Sequence, residues 1–558
     1  MINNKHTPKI IIALVSVAVL FCLLDQVYSE KLTKILGGTG VTMEYETKLF
    51  NTDELISVDI QMDEDEWNKM LANAISEEYY TCDVVINGQT LKSVAIRPKG
   101  NTSLSSIANN PDTDRYSLKL EFDHFVDGQT CFGLDKLILN NNFADATNMK
   151  EAIIYDMFNY LDADASLYNY AKVSLNGEYW GVYLALEGVE DSFMLRNFGT
   201  QDGELYKPDS MEFGGGGDRP SGDFKPGDGD MPDMGDFDPE NMPERGDFDS
   251  DNKPERSDSD SDENSDDRKG PSGDFPGDFS MGSKGGANLN YIDDDLDSYS
   301  TIWNGSVSDT SKGDRRRVVT ALKNISEGTD LEKYLDVDNI LKYMAVHTFS
   351  VNMDSLSGNM AHNYYLYEYD GQLNIFPWDY NLSLGGMNMG GGSATDTVND
   401  AIDTPFDGTE FFDALLENEE YRKKYHEYLR ILVEEYVEGG RFDEVYDRIR
   451  LQIDELVETD PTAFFEYDEY LKGAETLYKT VKLRAESIKG QLDGTIPSTD
   501  EGQRADDSAL VDASDIDLSV MGTFNNGGNG DDAGPDNLGR GRNRFGMPDF
   551  DGRSKKQP

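Results

Sequence analysis

The chain has 558 residues, room for several average domains or for one large domain with insertions. Its 107 acidic and 50 basic residues leave a formal charge of −57, which argues against nucleic acid and anionic lipid as partners, since both need a basic footprint. Hydrophobic residues make up 37%, below the usual globular share of about 45–50%, and Gly counts 53, so part of the chain is expected to stay unfolded.

Lys5 and Lys9 precede an unbroken apolar run from Ile10 to Leu24. A basic start followed by a short apolar stretch is the pattern of a secretory signal. Residues 1–29 are therefore expected to be either a cleaved signal, with Val27-Tyr28-Ser29 as the small-residue site, or a single uncleaved membrane anchor. Both place the rest of the chain outside the cytoplasm. Residues 42–207 read as a strand-rich region. Ile56–Ile60 alternates as a strand, and Asp63–Ala72 reads as a short helix containing Trp67. Cys82–Ile86, Asn87-Gly88 and Leu91–Ile96 form a hairpin signal. Tyr116–Phe122 alternates again, and Ala146–Leu161 has helical spacing with Glu151 in its first turns. Ala171–Leu175, Asn176-Gly177 and Trp180–Leu186 form a second hairpin.

Composition then changes. Residues 208–288 are rich in Gly, Asp, Pro and Ser, with Gly-Asp-Phe recurring from 222, 246, 273 and 277, and they cannot bury enough apolar surface to offset ordering entropy. A disordered acidic insert is expected; weak calcium binding is the other reading, although no EF-hand loop is present. Residues 289–495 read as helix-rich: Arg315–Lys323, Leu331–Phe349, Phe411–Val437, Phe442–Val457 and Ala474–Leu492, with a third hairpin at Tyr364–Tyr369, Asp370-Gly371 and Leu373–Phe376. Residues 496–558 read as a disordered tail with a basic finish. The fold class expected is α+β, a strand-rich lobe and a helix-rich lobe separated by the insert. Cys22, Cys82 and Cys131 make no disulfide framework, although Cys82 and Cys131 could pair if the fold brings them together. Five scattered His give no zinc spacing.

Three clusters carry chemistry. Arg97-Pro-Lys-Gly-Asn-Thr-Ser103 follows a strand, and Gly100 with Asn101, Ser103 and the flanking cations Arg97 and Lys99 suits an anion. In Val351–Tyr367, Asp354 sits in a loop with Asn359 and Asn363 a few residues on. Phe376-Pro-Trp-Asp379-Tyr-Asn381 places a second acid behind a hydrophobic strand. Either Asp alone could simply cap a turn. Together, the order Asp, Asn, hairpin, Asp matches phosphoryl transfer, in which one Asp orients the hydroxyl while an Asn and the second Asp hold Mg²⁺.

At this point the chain resembles the CotH kinase family, the spore-coat protein H type of atypical protein kinase. The likeness rests on an ordered set of pieces: Leu49–Leu55, Asp63–Trp67, Ile96–Ser103, Tyr116–Phe122, Leu137–Asp145, Leu175–Tyr183, Gly203–Lys207, Asn352–Asp354, His362–Tyr367 and Pro377–Asn381. The resemblance implies a kinase-like two-lobed fold that passes the ATP γ-phosphate to Ser, with Mg²⁺ or Mn²⁺. It implies that Arg97–Ser103 covers the phosphates, that Lys119 contacts the α/β-phosphates and that Glu151 is the ion-pair partner of Lys119. It puts adenine beside Leu184–Gly188, next to Glu187. Asp354 would be the catalytic acid and Asp379 the principal metal ligand. Asn363, which precedes the Tyr-Tyr-Leu-Tyr strand, is favoured over Asn359 as the second metal ligand, and Asn359 stays open because its spacing from Asp354 is the ordinary kinase one.

The resulting expectation is an exported, ATP-dependent Ser/Thr protein kinase acting on a coat or cell-surface protein. A basic, Ser-rich substrate would suit the negative surface. The alternative is a catalytically idle envelope or spore-coat interaction module of the same family. The acceptor and the oligomeric state are not legible.

Overall fold

The computed structural model describes residues 41–209, 284–358, 360–387 and 393–524. The apolar run Ile10–Leu24 and almost all of the acidic insert lie outside the described residues. Among the described residues, no helix is long and apolar enough to cross a membrane.

Seven strands close into a barrel in the order β1-β2-β3-β4-β5-β7-β6. They are β1 (Ile56–Gln61), β2 (Tyr80–Ile86), β3 (Gln89–Lys99), β4 (Ser117–Glu121), β5 (Lys136–Asn140), β6 (Tyr168–Leu175) and β7 (Glu178–Glu187). The period of two decides what faces inward. Ile56, Val58 and Ile60 of β1 are fully buried, while Ser57 and Gln61 are exposed and Asp59 is half-buried. Leu118, Leu120, Leu137, Leu139, Val173 and Ala185 complete the interior. Asn87-Gly88 and Asn176-Gly177 form the expected two-residue turns, and all four residues have positive φ, the geometry that matches strand twist. Closure comes from a parallel pairing of β1 with β6, Ile56 opposite Ala171 through Ile60 opposite Leu175.

The other faces of β5, β6 and β7 are largely covered. Ile138, Tyr168, Tyr170, Val182, Leu184 and Leu186 join a second, larger core that includes Ile153, Ile154, Met157 and Phe158 of the Lys150–Tyr160 helix and the apolar faces of the later helices. That helical half also holds a three-stranded sheet, ordered β10-β9-β8, from β8 (Glu204–Tyr206), β9 (Tyr364–Tyr369) and β10 (Gln372–Pro377). The Asp370-Gly371 turn joins β9 to β10, again with both φ angles positive.

Three boundaries differ from the sequence expectation. β8 precedes the insert but pairs with β9 after it, and Lys207 N donates to Gly305 O, so residues 204–207 belong to the helical half rather than to the strand-rich lobe. Packed structure is present before 289, with Ala287 and Leu289 buried. Order also runs past 496: Gln503 Nε2 donates to Asn399 O, Val511 N donates to Asn399 Oδ1, and Met521 is fully buried against the Tyr467–Leu492 helix region. Polar composition hid this segment, because side-chain amides rather than apolar periodicity anchor it. The long helix expected over 411–437 is broken at Asn418, whose side chain caps Glu420 N and Tyr421 N. Cys82 and Cys131 are both buried free thiols, so the pairing left open by the sequence does not form.

Candidate functional site

A cleft with about 790 Å³ of empty space, part of it open to solvent, lies where the end of β3, the end of β5, the Lys150–Tyr160 helix and the loops around Asp354 and Asp379 meet. Lys99 is the last residue of β3, and Gly100 follows at φ +135°. A Cβ at Gly100 would stand 2.8 Å from Ser103 Oγ, so the bare glycine leaves room where the chain turns.

Lys99 Nζ donates to Asn140 Oδ1 at 3.0 Å, and Asn140 Nδ2 donates to Glu151 Oε2 at 2.9 Å. Asn140 thus stands between the cation and the carboxylate. The Trp378 ring lies under both Lys99, 5.3 Å away, and Lys207, 5.5 Å away. Burial pushes the Lys99 ammonium below its ordinary range, against the pull of Asp379. Burial, with the negative charge of Asp379, pushes the Glu151 carboxyl up to about 8. Burial also raises Asp379, and Lys99 draws it down.

The two acids are held by short loops. The Val337–Ser350 helix ends at Val351, in a left-handed conformation with φ 47°. Asn352 then ties the loops together: its Oδ1 accepts from Asp354 N at 3.2 Å and its Nδ2 donates to Asp379 O at 3.4 Å. Below them His347 bonds to Tyr380 OH at 3.1 Å and to Ser357 Oγ at 2.8 Å, and its burial pushes its pKa down to about 3, so it is a neutral structural tie. Asn363 and Asp379 both have positive φ, 56° and 60°, a conformation that Asn and Asp tolerate better than other side chains. Asn363 Nδ2 donates to Asp354 Oδ2 at 3.1 Å and to Asp354 O at 2.8 Å. His362 Nε2 lies 2.5 Å from Asp354 Oδ1 and its Nδ1 lies 3.6 Å from Asp209 Oδ1. Burial opposes the charge on that ring, but the two carboxylates outweigh it and raise its pKa to about 9.

The cleft therefore gathers Lys99, Gly100, Asn101, Ser103, Glu151, Asp354, Asn363 and Asp379 from the residues singled out by sequence. Three expected residues are not on its wall. Arg97 forms an ion pair with Glu77 at 3.1 Å and lies over the Tyr79 ring. Lys119 lies opposite Arg97 in the β3–β4 register, while Ser117 lies opposite Lys99, so Lys119 stands one step of the pleat further along the barrel wall, 3.7 Å from Glu190. The basic neighbour of Glu151 is thus Lys99, reached through Asn140, and not Lys119. Glu187 is fully buried and bonded by Arg196, Tyr45 OH and Leu167 N, which makes it a packing anchor within the barrel wall. Asn359 lies outside the described residues.

Sequence reasoning passed over Asn140, Asp209, His362 and Phe524, which also line the cleft. Asn140 and His362 were inside recognisable pieces, but neither residue type at that position signals a role without the fold. Phe524 comes from the segment read as tail and reaches the cleft because Phe524 N donates to Gly386 O at 2.9 Å.

Among the described residues, no three His, Cys, Asp or Glu side chains converge as a metal-binding group. Mg²⁺ needs less than that in nucleotide sites, where one or two carboxylates and the substrate phosphates share the ion with water. The residues present fit that pattern: among the described residues, the Asp379 carboxylate accepts no hydrogen bond although it faces the cleft.

A lysine joined to a helix glutamate through Asn140, a turn with a bare glycine, and two acids on adjoining loops thus line one cleft. A family model described as CotH kinase protein matches residues 96–488. The chain belongs to the CotH kinase family. No curated protein matches it.

Proposed function

We propose that this chain is an ATP-dependent protein kinase, built as a two-lobed kinase-like fold around the cleft, that passes the γ-phosphoryl group to Ser of a basic, Ser-rich coat or cell-surface protein. The observation that carries the reading is the convergence of Lys99, Glu151, Asp354, Asn363 and Asp379 in one cleft from segments far apart in sequence.

Asp354 accepts the proton of the attacking Ser hydroxyl; His362 and Asn363 hold its two oxygens, so its direction is set before substrate arrives. Lys99 takes the role that the resemblance assigned to Lys119 and pairs with phosphate oxygens, with Glu151 behind it through Asn140. Gly100 lets the backbone approach the same group. Asp379 and Asn363 would hold Mg²⁺ or Mn²⁺, which would supply charge neutralisation on the phosphates. Catalysis on this reading is positioning and electrostatics, with no covalent enzyme intermediate. The charge of −57 suits a cationic protein substrate, and the apolar run after Lys9 suits export, as a secreted or singly anchored protein.

The test begins with binding. Calorimetric titration of a non-hydrolysable ATP analogue should show metal-dependent affinity that falls by about tenfold or more in both Lys99→Ala and Asp379→Ala. Equal affinity in parent and variants would contradict the placement of nucleotide in this cleft.

A further inference from the structure

His362 is buried, 6% exposed, and both of its ring nitrogens face carboxylates. On one side is Asp354. On the other is Asp209, whose Oδ2 accepts from Asn101 Nδ2 at 3.0 Å. Asn101 belongs to the turn after β3, Asp209 to the segment after β8, and His362 and Asp354 to the loop after the Val337–Ser350 helix. A single polar chain, Asn101–Asp209–His362–Asp354–Asn363, thus runs along the cleft from the glycine turn to the acid. Ala361 and Asn363, the two residues flanking the histidine, both have positive φ, 49° and 56°. Two left-handed non-glycine residues in a row of three cost backbone energy and persist only where the surroundings fix them. Here they aim the imidazole at Asp354.

We propose that His362 is a positioning residue: it locks the Asp354 carboxylate in the orientation that receives the hydroxyl proton and couples that orientation to the glycine turn through Asp209. The ring itself is not the base, because both of its nitrogens face carboxylates, Asp354 on one side and Asp209 on the other. Removing it leaves Asp354 held on one oxygen only, by Asn363. A displacement of about 1 Å at such a group costs about 100-fold in rate. Neither Lys99 nor Asp379 is hydrogen-bonded to His362, so nucleotide affinity should change far less than the rate.

This inference rests on the kinase reading of the cleft. The experiment compares parent, His362→Leu and His362→Gln for kcat, for KM of ATP and for the thermal shift produced by ATP with Mg²⁺. The glutamine amide can still donate to Asp354 Oδ1, whereas leucine fills the space without donating. The expected result is a kcat about 100-fold lower in His362→Leu, a KM for ATP within about threefold of the parent, an intact thermal shift, and recovery of most of the rate in His362→Gln. Equal losses in both variants, or a His362→Leu enzyme as fast as the parent, would overturn the proposal while leaving the kinase reading in place. A parent that shifts with nucleotide but transfers nothing would overturn the kinase reading, and this proposal with it.

Discussion

Lys99 and Lys119 differ by one step of the pleat, and that step decides their surroundings. Both side chains leave the same face of neighbouring antiparallel strands, but Lys99 ends its strand at the cleft while Lys119 sits among Glu190, Glu121 and Lys136. Lys99→Ala should therefore lower kcat/KM for ATP by about 100-fold or more, as the loss of one charge-stabilising donor does elsewhere. Lys119→Ala should stay within a few-fold; the reverse pattern in steady-state kinetics would contradict the assignment. Asp135 offers a pH test at the same scale. Burial, reinforced by Glu190, raises its carboxyl from 3.8 to about 7 in the folded protein, although Ser192 bonds lower it. The folded state therefore holds a proton that the unfolded state has lost between about pH 4 and pH 7, and stability falls as pH rises through that window. In melting experiments Asp135→Asn should gain on the parent between about pH 4 and pH 7; a pH-independent difference would count against it.

At the scale of elements, the segment beyond the last long helix is a wall of the site rather than a tail. Ala146 N donates to Met521 O at 3.1 Å, Lys150 Nζ donates to Gly522 O at 3.4 Å, and Phe524 packs on Phe143 at 6.1 Å between ring centroids. Met521→Ala should cost about 2 kcal/mol or more in denaturant unfolding and raise KM for ATP, since Phe524 loses its anchor. Unchanged stability would mean that the segment is dispensable. What could be read from sequence at this scale follows the range of the interaction. The turns at Asn87-Gly88, Asn176-Gly177 and Asp370-Gly371 were legible because two residues with positive φ are a local property. The helix bearing Glu151 was legible from its spacing, with a start a few residues early. Barrel closure was not, because the β1–β6 pairing joins strands more than a hundred residues apart and leaves no local mark. The β8–β9 pairing was hidden in the same way by the insert between them. In the site, Asp354, Asp379, Asn363 and Lys99 were visible as residue types in order. Their companions Asn140, Asp209 and His362 carry meaning only through what the fold sets against them.

At the scale of the whole molecule, the two large apolar cores, one inside the barrel and one between barrel wall and helices, leave the cleft at their border, where loops from both can meet. The net charge of −57 adds a long-range field. Such a field speeds encounter with a cationic partner and is screened within about 10 Å at about 0.1 M salt. KM for a basic Ser-rich peptide should therefore rise several-fold between about 0.05 M and about 0.5 M salt, with kcat at saturating peptide little changed. A salt-independent KM would remove the argument for a basic substrate.

The most direct measurement is transfer of labelled γ-phosphate from ATP, with Mg²⁺ or Mn²⁺, to a basic Ser-rich peptide by the purified chain beside Asp354→Asn and Asp379→Ala. Labelled phosphoserine with the parent and a loss of at least about 100-fold in both variants is the predicted result. Transfer that survives both substitutions would contradict the assigned acids. No transfer, together with no thermal shift by ATP and metal, would contradict the enzyme itself and leave a family member that binds partners without chemistry.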